Sequence, residues 1–127
     1  MVQEDKISII ELEQKLKQRL LLIPNLNAIY IGKTQNLDSA EYRHNENYDK
    51  TTPIAIGTPT TISKAENHLI KSLKCYFNDV EVKNINAGSA GNVDANMLYV
   101  CLNFSPKTID ELYDDELFDK PFTLKDN

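Results

Sequence analysis

Glu66 is the residue whose place in the sequence most needs a reason. Within "SKAENHLIKSLK" (63–74), Ala65, Leu69, Ile70 and Leu73 recur at helical spacing, and at 100° per residue Glu66 falls inside the arc they span. A carboxylate on an apolar face is costly to bury unless something pairs with it. A divalent cation would do so, and would also polarise a phosphoryl oxygen. A second role is compatible with the first. Ser63-Lys-Ala-Glu66 reads as a capping box, which places Glu66 in a first helical turn, where the helix dipole favours an acid.

A second group lies in "NAIYIGKTQN" (27–36) and just beyond it. Tyr30 stands between Ile29 and Ile31, so on a strand it points to the opposite side from both. Its ring suits a core and its hydroxyl suits chemistry, and both readings stand. Gly32 permits a sharp turn or a close backbone approach, and Lys33 can meet a phosphate as a point charge. His44 follows Arg43 at the end of a polar segment. It can move a proton near neutral pH, though a lone histidine in a polar segment is more often solvated surface. His68 lies off the apolar face of its helix and carries no role in this reading.

The elements that must position these groups follow from the same patterns. Ser8-Ile-Ile-Glu11 is a capping box, and Ile9, Leu12, Leu16 and Leu20 continue it as a helix over 8–21 that Pro24 and Asn25 break. Residues 27–32 read as a strand and 36–44 as a short helix. Residues 45–61 read as turn-rich around the small apolar piece 54–56. A helix then opens at Ser63, its apolar face made by Ala65, Leu69, Ile70, Leu73, Tyr76 and Phe77. "VEVKNI" (80–85) alternates like a strand, "NAGSAGN" (86–92) is a small-residue loop, and "NMLYVCLNF" (96–104) is the longest strand pattern. Thr108-Ile-Asp-Glu111 caps a last acidic helix over 108–117. Short strands mixed with helices, without regular alternation, predict an α+β fold: a small, mostly antiparallel three-stranded sheet flanked by helices.

Bulk composition narrows the class. At 127 residues, 41% hydrophobic and 26% charged, the chain fits one domain, 1–127, with a real core. No apolar run approaches the roughly 20 residues of a membrane span. "MVQEDKISII" carries acids where a secretory signal would be basic and then apolar, which points to a cytoplasmic protein. Cys75 and Cys101 lack metal-ligand spacing and read as buried thiols. The net charge of −5 is unevenly spread. Residues 108–127 hold seven of the nineteen acids and two of the fourteen bases, which leaves twelve of each in residues 1–107. A neutral body lacks the field of a nonspecific nucleic-acid binder but leaves room for a local basic surface. The acidic end reads as a solvated face or as a surface for a basic protein partner.

"YIGKTQNL" (30–37), His44, "SKAENHLIKSLK" (63–74) and "NINAGSAGN" (84–92) occur in the order seen in GIY-YIG nucleases, and residues 27–92 resemble that family. The resemblance implies a small antiparallel sheet with helices around it and metal-dependent hydrolysis of DNA phosphodiesters, with one Mg²⁺ or Mn²⁺. By position it implies Tyr30 near the attacking water, with Gly32 and Lys33 shaping the substrate-binding turn. His44 matches the family histidine, Glu66 the metal-holding glutamate, and Asn84 or Asn86 an asparagine that helps position the site. The chain departs from the pattern in two places. Upstream, "KQRLLLIP" holds no Gly-Ile-Tyr, and the family arginine, one helical turn before the histidine, falls on Ala40. Arg43 would serve only in a different local register. The resemblance therefore implies either a diverged nuclease or a catalytically inactive module of the same fold that binds nucleic acid or protein.

Overall fold

The structure, a computed structural model, describes residues 6–44, 47–84, 94–104, 117–118 and 120–126; the side chain of Arg43 lies outside what is described. Among these residues, nine elements run in the order β1 (Lys6–Ile7), α1 (Ile9–Leu21), β2 (Leu26–Thr34), α2 (Leu37–His44), β3 (Lys50–Ile56), α3 (Pro59–Tyr76), β4 (Glu81–Val82), β5 (Met97–Phe104) and β6 (Phe122–Leu124).

α1 starts as its sequence dictates. The Ser8 hydroxyl accepts the Glu11 backbone N–H at 3.0 Å, and Leu12, Leu16 and Leu20 are buried at i, i+4 and i+8. The chain leaves the helix through Asn25, whose φ of 63° is a left-handed conformation that asparagine tolerates. α3 begins earlier than its sequence suggests. Thr58 is the N-cap, its side chain accepting from the Thr61 N–H, and Pro59 takes the first turn, where its missing donor costs nothing. Ser63 is therefore inside the helix, and Glu66 is a mid-helix residue rather than a capping partner.

The sheet has six strands in the order β1-β6-β3-β5-β2-β4. β5 is the spine, antiparallel to β2 on one side and to β3 on the other. The outer pairings, β1 with β6, β3 with β6 and β2 with β4, are parallel. The α+β class stands. The three-stranded, mostly antiparallel sheet expected from the sequence is corrected to a six-stranded mixed one. β1, β4 and β6 span two or three residues each, too few to show a period of two, and β3 reaches back to Lys50 through Pro53. The β3–β5 register shifts just after that proline, which has no N–H to offer the ladder.

Strand alternation divides the interior in two. Ile29 and Ile31 of β2, with Leu98, Val100 and Leu102 of β5, pack against the buried stripes of α1 and α3 in the main core. Tyr99 and Cys101 of β5 face the other way, where Ala40 of α2 completes a smaller cluster with Tyr30, Leu37 and Tyr48. α1 and α3 thus cover one face of the sheet and α2 lies on the other. Cys101 is buried as expected; Cys75, on the outer side of α3, is exposed, which corrects its reading as a buried thiol. No helix among the described residues is long and apolar enough to cross a membrane. The acidic helix expected over 108–117 and the loop 86–92, with Asn86, lie outside the described residues except for Leu117.

Candidate functional site

The residues singled out by sequence separate into two groups on opposite faces of β2. Tyr30 pairs across the sheet with Cys101, and Gly32 with Tyr99. Both partners point to the α2 side. His44, the last residue of α2, lies there too. Its ring centroid is 5.1 Å from that of Tyr30, 5.7 Å from Tyr48 and 5.6 Å from Tyr99. Its Nε2 and the Tyr99 hydroxyl are 3.0 Å apart. The chain then turns tightly, Asn47 and Tyr48 both donating to the His44 carbonyl, and this brings the Tyr48 ring back beside Tyr30.

Gly32 has a steric reason in this structure. A Cβ built on it would fall on the Cζ and hydroxyl of Tyr99, whose ring end lies against the glycine. The phenol thereby reaches across β2 to His44. Burial, then the proximity of Cys101, Tyr30 and Glu81, pushes the Tyr48 hydroxyl up to about 12, so it is a donor at neutral pH rather than a base. The face as a whole is an aromatic lining around one imidazole.

The second group lies on the main-core side. Lys33 is one residue past Gly32, so it shares a face with Ile29 and Ile31. Its side chain is 6% exposed and points inward, with Nζ donating to Ser63 Oγ at 3.0 Å and lying 3.9 Å from Glu66 Oε1. Glu66 is equally enclosed, and its Oε1 has no hydrogen-bond partner among the described residues. Burial raises its carboxyl to about 7, against the partial opposing pull of Lys33. Lys33 is thus the internal counter-ion of Glu66. Lys33, expected to meet a substrate phosphate, here directs its ammonium to Ser63 and Glu66.

Asn84 is also committed. Its side-chain carbonyl accepts the Ile31 N–H at 3.0 Å and its amide donates to the Ile31 carbonyl at 2.8 Å. The side chain imitates one more residue of β4 alongside β2, just past the last backbone pairing at Ile29. Its amide therefore holds a strand edge.

A metal on Glu66 can be tested against the donors present. A divalent cation needs several oxygen or nitrogen ligands and an anionic surround. Here an ammonium stands 3.9 Å from Glu66 Oε1, and no group of three or more histidine, cysteine, aspartate or glutamate side chains among the described residues is placed to hold an ion. A Mg²⁺ or Mn²⁺ at Glu66 would share its carboxylate with this ammonium. Compared with family models, with curated proteins and with solved structures, the chain matches none.

Tyr99, Tyr48 and Ser63 were not legible as site residues. Tyr99 sits in a continuous apolar run and reads as core until its partner across the sheet is known to be a glycine.

Proposed function

We propose that the chain is a non-catalytic relative of the GIY-YIG nucleases, which keeps a nucleic-acid partner and has lost phosphodiester hydrolysis. One observation carries this reading: Tyr30 with His44, and Glu66 with Lys33, occupy opposite faces of β2. A nuclease of the expected kind needs its phenol, imidazole and metal-holding carboxylate around one phosphate, within hydrogen-bonding or coordination reach. A six-stranded sheet stands between these two pairs.

The chemistry left at each place is structural. Glu66 and Lys33 neutralise one another inside the core. Tyr30, His44, Tyr48 and Tyr99 fill the space under α2. The absence of a Gly-Ile-Tyr segment and of an arginine at Ala40 agrees with a site no longer under catalytic demand.

Incubating the protein with supercoiled plasmid and with single-stranded DNA in Mn²⁺ tests the first half of the reading. No cleavage above a metal-free control is expected, and calorimetry should detect no Mn²⁺ site that Glu66→Gln abolishes. Cleavage that disappears in Glu66→Gln would overturn the proposal. The second half is tested by binding to a labelled DNA duplex at low salt, where measurable association is expected.

A further inference from the structure

We infer that the solvent face of α3 is the surface that takes the nucleic acid, gripping the phosphate backbone of a duplex through Lys64, Lys71 and Lys74. The inference rests on the nucleic-acid partner of the preceding proposal and gives it a place on the fold.

The buried side of α3 holds Thr61, Ile62, Ala65, Glu66, Leu69, Ile70 and Leu73. The opposite side follows from helical geometry. Lys64, His68 and Lys71, at i, i+4 and i+7, run along one line, and Lys74 continues it one turn on. All three lysines are exposed. The helix has a single acid, Glu66, and that one is turned into the core. None of the three lysines pairs with an acid among the described residues; the described ion pairs belong to Lys17, Lys33, His68 and Lys83. A chain of net charge −5 therefore carries one helical face on which every exposed ionisable group is a base or a thiol.

The acid that α1 turns toward α3 is engaged by side chains. From α1, Glu13 accepts from His68 Nε2 at 2.8 Å and from Lys17 at 2.8 Å, and the Ser72 hydroxyl bonds it as well. Its charge is thus shared between Lys17 and His68, the histidine on the same line as Lys64 and Lys71. Lys17 itself lies 4.6 Å above the Tyr76 ring.

The spacing suits a duplex backbone. Seven residues at a rise of about 1.5 Å put Lys64 and Lys71 about 10 Å apart along the axis. Phosphates follow one another about every 3.4 Å of axis on each strand, so the pair spans about three of them. The solvent line carries no large apolar side chain, as it would for a protein-binding helix. Contacts of this sort read charge and not sequence.

Fluorescence anisotropy of a labelled 20-base-pair duplex, titrated with the full chain between about 20 and 150 mM salt, tests the surface. Three neutralised phosphates give an expected log–log salt slope of about −2.7, and each Lys→Gln substitution at 64, 71 or 74 should remove about 0.9 of it. Lys64→Gln/Lys71→Gln/Lys74→Gln should bind at least tenfold more weakly at the lowest salt. Lys6→Gln/Lys125→Gln, at exposed positions by the β1–β6 edge, should match the wild type. Circular dichroism on each variant confirms that the helix is intact. If the wild type binds the duplex and the triple variant keeps its slope, the α3 surface is wrong and the partner class survives. If the wild type binds no duplex but binds polyglutamate with lysine dependence, the partner class itself is wrong.

Discussion

Glu66→Gln reads out the burial of that carboxyl through the pH dependence of folding. In the folded chain burial raises Glu66 to about 7, from an ordinary value of 4.5. The folded form therefore holds this proton more tightly than the unfolded form does. The favourable contribution is complete below pH 4.5, declines as pH rises from 4.5 to 7, and is gone above 7. At 1.36 kcal/mol per pH unit, that interval corresponds to about 3 kcal/mol. Glutamine has the shape of the protonated acid and does not titrate. The two proteins are expected to be equally stable at pH 4.5–5, with the variant ahead by up to about 3 kcal/mol at pH 8. Urea unfolding followed by circular dichroism at a series of fixed pH values measures the difference. Each transition is compared at equal m-value, so that a change in midpoint reports stability. A difference that stays flat between pH 4.5 and 8 would mean that Glu66 is solvated, and its position between Ser63, Lys33 and the core would be wrong. A variant that loses ground as pH rises would mean that Lys33 stabilises the anion by more than burial costs it.

Glu13 acts in a separate window and with the opposite sign. Burial alone would raise it, but bonds from Lys17, Ser72 and His68 outweigh that and lower it to about 2 from 4.5, so it contributes stability above pH 4.5 that is lost as pH falls toward 2; Glu13→Gln should flatten the acid limb of the unfolding curve and leave the region above pH 5 parallel to wild type. Gly32→Ala forces a methyl into the Tyr99 ring and should cost about 1–3 kcal/mol in urea unfolding, with a change in the histidine ring resonances by NMR as Tyr99 withdraws from His44. Asn84→Ala leaves both polar groups of Ile31 without their side-chain partner and should cost about 2–3 kcal/mol, with faster amide exchange at Ile31 as the local readout; an unchanged exchange rate there would show that the Asn84 bond is not what protects this edge.

Long, strongly patterned elements were readable in advance, and short or irregular ones were not. α1 was legible because its cap and its apolar repeat agree, Ser8 bonding Glu11 and Leu12, Leu16 and Leu20 facing inward. β5 was legible as an unbroken apolar run. The start of α3 was misplaced because Ser63 and Glu66 stand at capping-box spacing, while the true cap, Thr58 before Pro59, lies in a stretch that also spells a turn. β1 and β6 support one another as parallel partners at Lys6–Thr123 and Ile7–Leu124, contacts more than a hundred residues apart in sequence that no local pattern can announce. The spacing places Tyr76 on the apolar face of α3, whereas it is 43% exposed in the structure.

The separation of the two candidate groups follows from strand parity, and the sequence holds the reason. Tyr30 and Lys33 are three residues apart on an unbulged stretch of β2, and an odd separation sends two side chains to opposite faces. Ile29 and Ile31 are the fully buried large aliphatic residues of that strand, so the broad apolar stripe of α3 packs on their side, and Glu66, lying within that stripe, goes with it. Tyr30 is then left to the other face, where α2 brings His44. A carboxylate inside a helix's apolar arc and a tyrosine flanked by two isoleucines therefore face apart whenever the helix packs on the isoleucine face. For both to meet at one phosphate, either β2 would need a bulge between Tyr30 and Lys33, or Glu66 would have to sit outside the stripe. The continuous register from Ala28 to Thr34 excludes the first, and the burial of Glu66 with Ala65, Leu69 and Ile70 excludes the second.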